Sequence, residues 1–166
     1  DFNGFHRQAG ARSVQSVVET GLKLIAWPGK NVLAAGRTDT GVHAAGQVIA
    51  FDIEWQHPET DLLRAVNANL PPDVAFRSVK QVPSDFHPRY SAYCRRYLYR
   101  CFCDPIRQPL RERYAWRIWP RVSLSEVNKS AELLIGEHDF AAFGTPPRAG
   151  GKTIRRIQMA CWYEGG

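Results

Sequence analysis

Two short apolar runs joined by a glycine-studded link restrict this fold more than any other feature of the sequence. Residues 33–51 read LAAGRTDTGVHAAGQVIAF. Residues 31–35 read as a short buried strand, and residues 47–51 as a strand leaving the link. Gly36, Gly41 and Gly46 recur every five residues between them. Glycine tolerates the positive φ that other residues avoid, so the spacing predicts a tight loop over residues 36–46 rather than a helix. Arg37, Asp39 and His43 sit inside it. On spacing alone Asp39 has two readings: an Asx turn that serves the local backbone, or a carboxylate presented for chemistry.

Several chemistries fail on detail. Gly36-x-x-x-x-Gly41 resembles half of a phosphate-binding loop, but Val42-His43 follows where Lys and then Ser or Thr are needed. The Gly-x-Gly-x-x-Gly opening of a dinucleotide site is absent as well. His6, His57, His87 and His138 are scattered, and Cys94, Cys101, Cys103 and Cys161 form no Cys-x-x-Cys pair. No zinc centre is expected, and the cysteines read as buried free thiols in a reducing compartment. No apolar run approaches the ~18–20 residues of a bilayer span. Both ends read as trimmed: the chain opens on Asp1-Phe2-Asn3 without an initiator methionine and stops just after a strand-like run.

The charge points to a partner. The 166 residues carry a net charge of +6, and 17 of the 22 cationic residues are arginine. Arginine offers phosphate a planar fork and stacks on bases, so the balance favours a polyanionic ligand.

Along the chain, Val14, Val17, Val18, Leu22 and Ile25 form one helical stripe over residues 13–26. A second helix is expected over residues 58–67, with Pro58 near its first turn, and a strand over residues 73–82. Residues 92–103, AYCRRYLYRCFC, alternate as a strand with Tyr93, Arg95, Tyr97 and Tyr99 on one face and Arg96 and Arg100 on the other. Residues 113–119 form a weaker strand and residues 153–163 a final one. A helix is expected over residues 123–135, capped by Ser123 with Glu126 and ended by Gly136. Residues 107–114 read as a basic loop and residues 146–152 as a turn-rich one. The sum is an α+β fold, a mainly antiparallel ferredoxin-like sheet with helices on one face and the glycine loop between strands.

The decapeptide Ala35-Gly36-Arg37-Thr38-Asp39-Thr40-Gly41-Val42-His43-Ala44 closely resembles the signature of the tRNA pseudouridine synthase A family. Gly4-Phe5-His6-Arg7-Gln8, NANLPPDVAF at 67–76, SDFHPRYSAYCRRYLYR at 84–100 and LIGEHDFAAF at 134–143 resemble further blocks of that family in order. The resemblance implies the pseudouridine synthase fold, with residues 1–104 as its N-terminal half and residues 105–166 as the start of the second. It implies an isomerase acting on uridines at positions 38 to 40 of the tRNA anticodon stem-loop. It further implies a cytoplasmic homodimer that holds the tRNA across both subunits.

Asp39 is then the catalytic carboxylate. The reaction detaches uracil from C1′, turns it and rejoins it through C5, so one acid suffices where a glycosidase needs two. No cofactor or metal is called for. The resemblance gives Arg37 the space vacated by the flipped base, against a structural ion pair to Asp39 or another acid, and gives Tyr97 stacking or proton transfer, against simple packing. Asp39 is expected to be ionised beside Arg37 and sheltered by Val42, Val48 and Phe51. Arg7, Arg89, Arg95, Arg96 and Arg100, with His43, are the candidate RNA contacts, and Arg107, Arg111 and Arg113 form a second basic cluster. The alternatives are a non-catalytic RNA-binding module, a protein-interaction domain, and a paralogous synthase with another RNA substrate.

Overall fold

The computed structural model describes residues 2–144 and 151–165. The chain divides into two compact units, Asp1–Arg95 and Arg96–Gly166. Both mix helices with short strands.

In the first unit, α1 spans Val14–Leu24. Its capping box is Ser13 with Ser16, two serines closing the reciprocal bonds usually made by Ser and Glu. At the other end the Trp27 N–H reaches the Leu22 carbonyl and the Ala26 N–H reaches that of Lys23, the complete Schellman pattern. Ala26 occupies its left-handed position at φ 64°. β1 (Leu33–Ala34) pairs antiparallel with β2 (Ile49–Ala50). α2 spans Glu59–Ala68, with Pro58 as its N-cap residue. The expected stripe does face the core: Val18 and Leu22 of α1 meet Leu62 and Val66 of α2, with Trp27 and Val32. Burying each such aliphatic side chain contributes about 1.5–3 kcal/mol.

The strand expected over residues 73–82 pairs with no neighbour among the described residues. Instead the Asn67 side chain binds the Phe76 backbone twice, donating to its carbonyl at 2.9 Å and accepting its N–H at 2.7 Å. The Phe76 ring lies 6.4 Å from Phe51.

In the second unit, β3 (Cys101–Cys103) runs parallel to β4 (Trp116–Ile118). This is the one parallel pair among the described strands, in a sheet set expected to be mainly antiparallel. Between them the expected basic loop carries a short helix, α3 (Pro109–Glu112), with proline in its first turn. Arg107 and Arg117 pair with Glu112, and Arg111 covers the buried Phe102 ring at 4.3 Å. α4 spans Leu124–Glu132, but Ser123 makes no capping bond; its hydroxyl pairs with that of Ser125. Gly136 opens a strand: β5 (Gly136–Asp139) pairs antiparallel with β6 (Ile154–Ile157). Asn128 of α4 grips the Trp162 backbone through both its N–H and its carbonyl, as Asn67 grips Phe76.

The long alternating segment 92–103 is a strand only from Cys101. Alternation marks a chain able to line a sheet, but a ladder needs a partner, and β4 reaches back only to Trp116 opposite Cys101. All four cysteines are free, and Cys94, Cys103 and Cys161 are exposed rather than buried. Most of the turn-rich loop at 146–152 lies outside the described residues. No described helix is long and apolar enough to cross a membrane.

Candidate active site

The glycine loop is held by its own backbone oxygens. Beyond the β1–β2 ladder the Ala35 N–H still donates to the Val48 carbonyl at 2.9 Å, and the Gln47 side-chain amide closes the neck on the Gly36 carbonyl at 2.7 Å. Arg95 donates to the Ala35 carbonyl at 2.9 Å. The Phe5 N–H donates to Thr38 and the Arg77 guanidinium to Ala45. Residues 39–42 form a turn closed by the Val42 N–H on the Asp39 carbonyl at 3.1 Å, with Gly41 third at φ 81°. That is type II geometry, where the third residue favours glycine. Among the three loop glycines only Gly41 uses a positive φ.

Gly4 explains how the N-terminal arm approaches. It is buried at φ 75°, and a Cβ there would lie 2.7 Å from the Thr38 carbonyl oxygen. The arm and the loop together border an open cleft of about 370 Å³, lined by Asn3, His6 and Gln8 on one side and residues 37–40 on the other. Asp39 and Arg37 are both exposed there. Among the described residues neither side chain makes a hydrogen bond or ion pair. The structural pairing of Arg37 with Asp39 is therefore not observed.

The expected shelter around Asp39 is not found. Val42 and Val48 are 57% and 47% exposed. Phe51 turns into the core and meets Trp27 edge-on at 6.2 Å. The reason is local: Val42 ends a projecting turn, whereas Phe51 follows β2 on the side covered by the helices.

The arginines divide by partner. Arg7 is bonded to buried Glu19, to the Lys30 carbonyl at 3.0 Å and to Asn31 at 2.8 Å. Arg95 serves the loop backbone and, more weakly, the Arg89 carbonyl. The Arg89 guanidinium lies over the Tyr90 ring at 6.0 Å. His43 is exposed on the loop. Arg96, Tyr97 and Arg100 belong to the second unit, where all three are exposed and Tyr97 is 72% accessible. Sequence reasoning missed His6 and Gln8 as cleft residues; their only signal was membership of the Gly4–Gln8 block. It also missed Gln47 and Arg77 as anchors of the loop. No cluster of three metal-ligating side chains occurs among the described residues.

The sequence was compared with those of known proteins. The chain is 40% identical over 162 residues to tRNA pseudouridine synthase A of Neisseria gonorrhoeae, covering 95% of this chain and 61% of that protein. It is 38% identical over 160 residues to the protein of that name from Limosilactobacillus fermentum, covering 95% and 62%. With that of Shewanella frigidimarina it shares 42% over 142 residues, covering 86% and 54%. The chain thus spans roughly three fifths of the length of the curated relatives it matches. The family model described as tRNA pseudouridine synthase matches residues 1–91, the stretch that contains the arm, the glycine loop and the Asp39 cleft. On that match the chain belongs to the tRNA pseudouridine synthase family.

Proposed function

We propose that the protein carrying this chain is an isomerase that converts uridine to pseudouridine in the anticodon stem-loop of tRNA, at positions 38 to 40, with Asp39 as its catalytic carboxylate. One observation carries the reading. An exposed carboxylate with no partner among the described residues lines a cleft, on a loop whose carbonyl oxygens are anchored by Gln47, Phe5 and Arg77 and, at its neck, by Arg95. A carboxylate serving an Asx turn would hydrogen-bond the nearby backbone, and this one does not.

The chemistry follows from that placement. A uridine in a stem must leave the stack before C1′ is accessible. Arg37 shares the cleft, and its planar cation can fill the vacated space or hold a flanking phosphate. The C1′–N1 bond breaks with Asp39 beside the sugar, the uracil turns, C5 bonds to C1′, and the proton lost from C5 is matched by one taken up at N1. No atom is gained or lost overall. Tyr97 stacks on the base or carries the proton. Arg89, Arg96 and Arg100, with His43, contact the RNA, chiefly through phosphate, which makes affinity salt-sensitive. Arg7 and Arg95 act on the protein side of the site. Residues 1–104 form the first half of the synthase fold and residues 105–166 the beginning of the second, in a cytoplasmic homodimer.

The test uses the full-length protein and tRNA labelled with tritium at uridine C5. Asp39→Asn lowers tritium release by at least the ~10²–10⁴-fold typical of a lost acid–base group. The melting temperature stays put, because the side chain supports nothing. Wild-type release by the variant would return the protein to a binding role.

A further inference from the structure

The Asp39 cleft contains a second side chain whose chemical state the hydrogen bonds determine. His6 lines the cleft with Asp39, and its Nδ1 lies 2.9 Å from Gln15 Oε1. Gln15 and Glu19 are only 6% and 4% exposed. Glu19 is the ion-pair partner of Arg7, and an ionised carboxylate only accepts. Its Oε1 takes one hydrogen bond from the Val32 N–H at 3.1 Å and one from Gln15 Nε2 at 2.9 Å. This turns the Gln15 NH₂ toward Glu19 and its oxygen toward His6. The Arg7 N–H donates to that same oxygen at 3.3 Å, in agreement. An oxygen in that place can only accept, so His6 carries its proton on Nδ1. Two buried polar side chains therefore orient one exposed imidazole, and Nε2 has no partner among the described residues.

We propose that His6 Nε2 hydrogen-bonds the ribose 2′-hydroxyl of the target nucleotide, making His6 a substrate-binding residue that distinguishes ribose from deoxyribose. The inference rests on the function proposed above and deepens it. The cleft has no Phe, Tyr or Trp in its lining and is otherwise polar apart from Gly4, so it suits a sugar rather than a stacked base. Asp39 acts at C1′, and the 2′-hydroxyl is on the neighbouring carbon. A neutral imidazole with its proton on Nδ1 accepts at Nε2, and a protonated one donates there. A hydroxyl answers both, whereas the uracil N3–H answers only the first. The 2′-hydroxyl is also the group by which a protein tells RNA from DNA.

The experiment compares anticodon stem-loop RNAs carrying uridine or 2′-deoxyuridine at the target position, bound to the full-length protein. Wild type is expected to bind the deoxy RNA about tenfold more weakly, the effect of one hydrogen bond. His6→Ala is expected to bind the uridine RNA about tenfold more weakly and to discriminate between the two by less than about twofold. His6→Gln, which can donate or accept, restores part of the discrimination. Full discrimination in His6→Ala, or none in wild type, overturns the proposal. Nitrogen-15 imidazole spectra of the free wild-type protein test it without a variant: a proton on Nδ1 supports it, and a neutral ring with its proton on Nε2 alone overturns it. Tritium release by wild type is read in parallel. Release with unchanged discrimination removes only the role of His6, whereas absence of release removes the isomerase reading beneath it.

Discussion

Arg7 and Asp39 differ at the residue scale in what the fold leaves them free to do. Arg7 lies in the N-terminal block that resembles the family, and its charge made it a candidate RNA contact. Its guanidinium instead meets Glu19, a carboxylate buried to 4% exposure. Removing a partner from a buried acceptor costs about 1–3 kcal/mol, and Glu19 would keep Gln15 and Val32. Arg7→Ala is therefore expected to destabilise the protein by about that amount in urea unfolding. The salt dependence of RNA binding should stay as in wild type, because no phosphate contact is lost. A flatter salt slope with unchanged stability would return Arg7 to the RNA surface. Asp39 and Arg37 could be proposed from the sequence because a motif names them. His6 was not: its meaning comes from Gln15 and Glu19, nine and thirteen residues further on, and a lone histidine carries no such information.

At the scale of elements, periodicity located the helices well and the strands less so. The apolar stripe of α1 depends on nearby residues only, so residues 13–26 were readable, and the helix occupies Val14–Leu24. Strands need partners elsewhere in the chain. Residues 73–82 look like a strand but are held by the Asn67 side chain, and residues 92–100 alternate without a ladder. The Schellman end of α1 was invisible because an alanine, not a glycine, takes the left-handed position. A side-chain residue there costs about 1–2 kcal/mol, offset in part by the greater freedom of glycine in the unfolded chain. Ala26→Gly is expected to stabilise the protein by about 0.5–1 kcal/mol, read as a higher melting temperature. A fall in melting temperature would mean that the alanine methyl packs more usefully than its backbone strain costs.

For the whole molecule, each unit carries carboxylates whose folded state favours the charged form. Hydrogen bonding to Arg12 holds Asp73 below the ordinary aspartate value of 3.8. In the second unit the Gln108 backbone N–H lowers Glu112, helped by Arg107 and Arg117, and the Thr153 hydroxyl with the Ala141 N–H lowers Asp139. A depressed native pKa stabilises the fold at pH above the unfolded value, and the benefit is lost as pH falls through the native one. The melting temperature is thus expected to drop as the solution is acidified below about pH 4. The gap between wild type and Asp73→Asn should be widest at neutral pH and close at the acid end. A gap that stays constant with pH would show that the Arg12–Asp73 pair contributes nothing through its charge.

The sequence by itself determined the local and the chemical: the amphipathic helices, the turn that needs Gly41, and an acid and an arginine two residues apart in a motif of one family. Only the tertiary structure decided which side chains stay available for a ligand. Burial and hydrogen-bond partners come from residues far apart along the chain. Glu19 claims Arg7, Arg95 and Gln47 hold the loop neck, Phe51 turns to the core, and Asp39 is left exposed beside a histidine oriented from within. Those pairings exist only once the chain has closed on itself, and no spacing rule along the sequence encodes them.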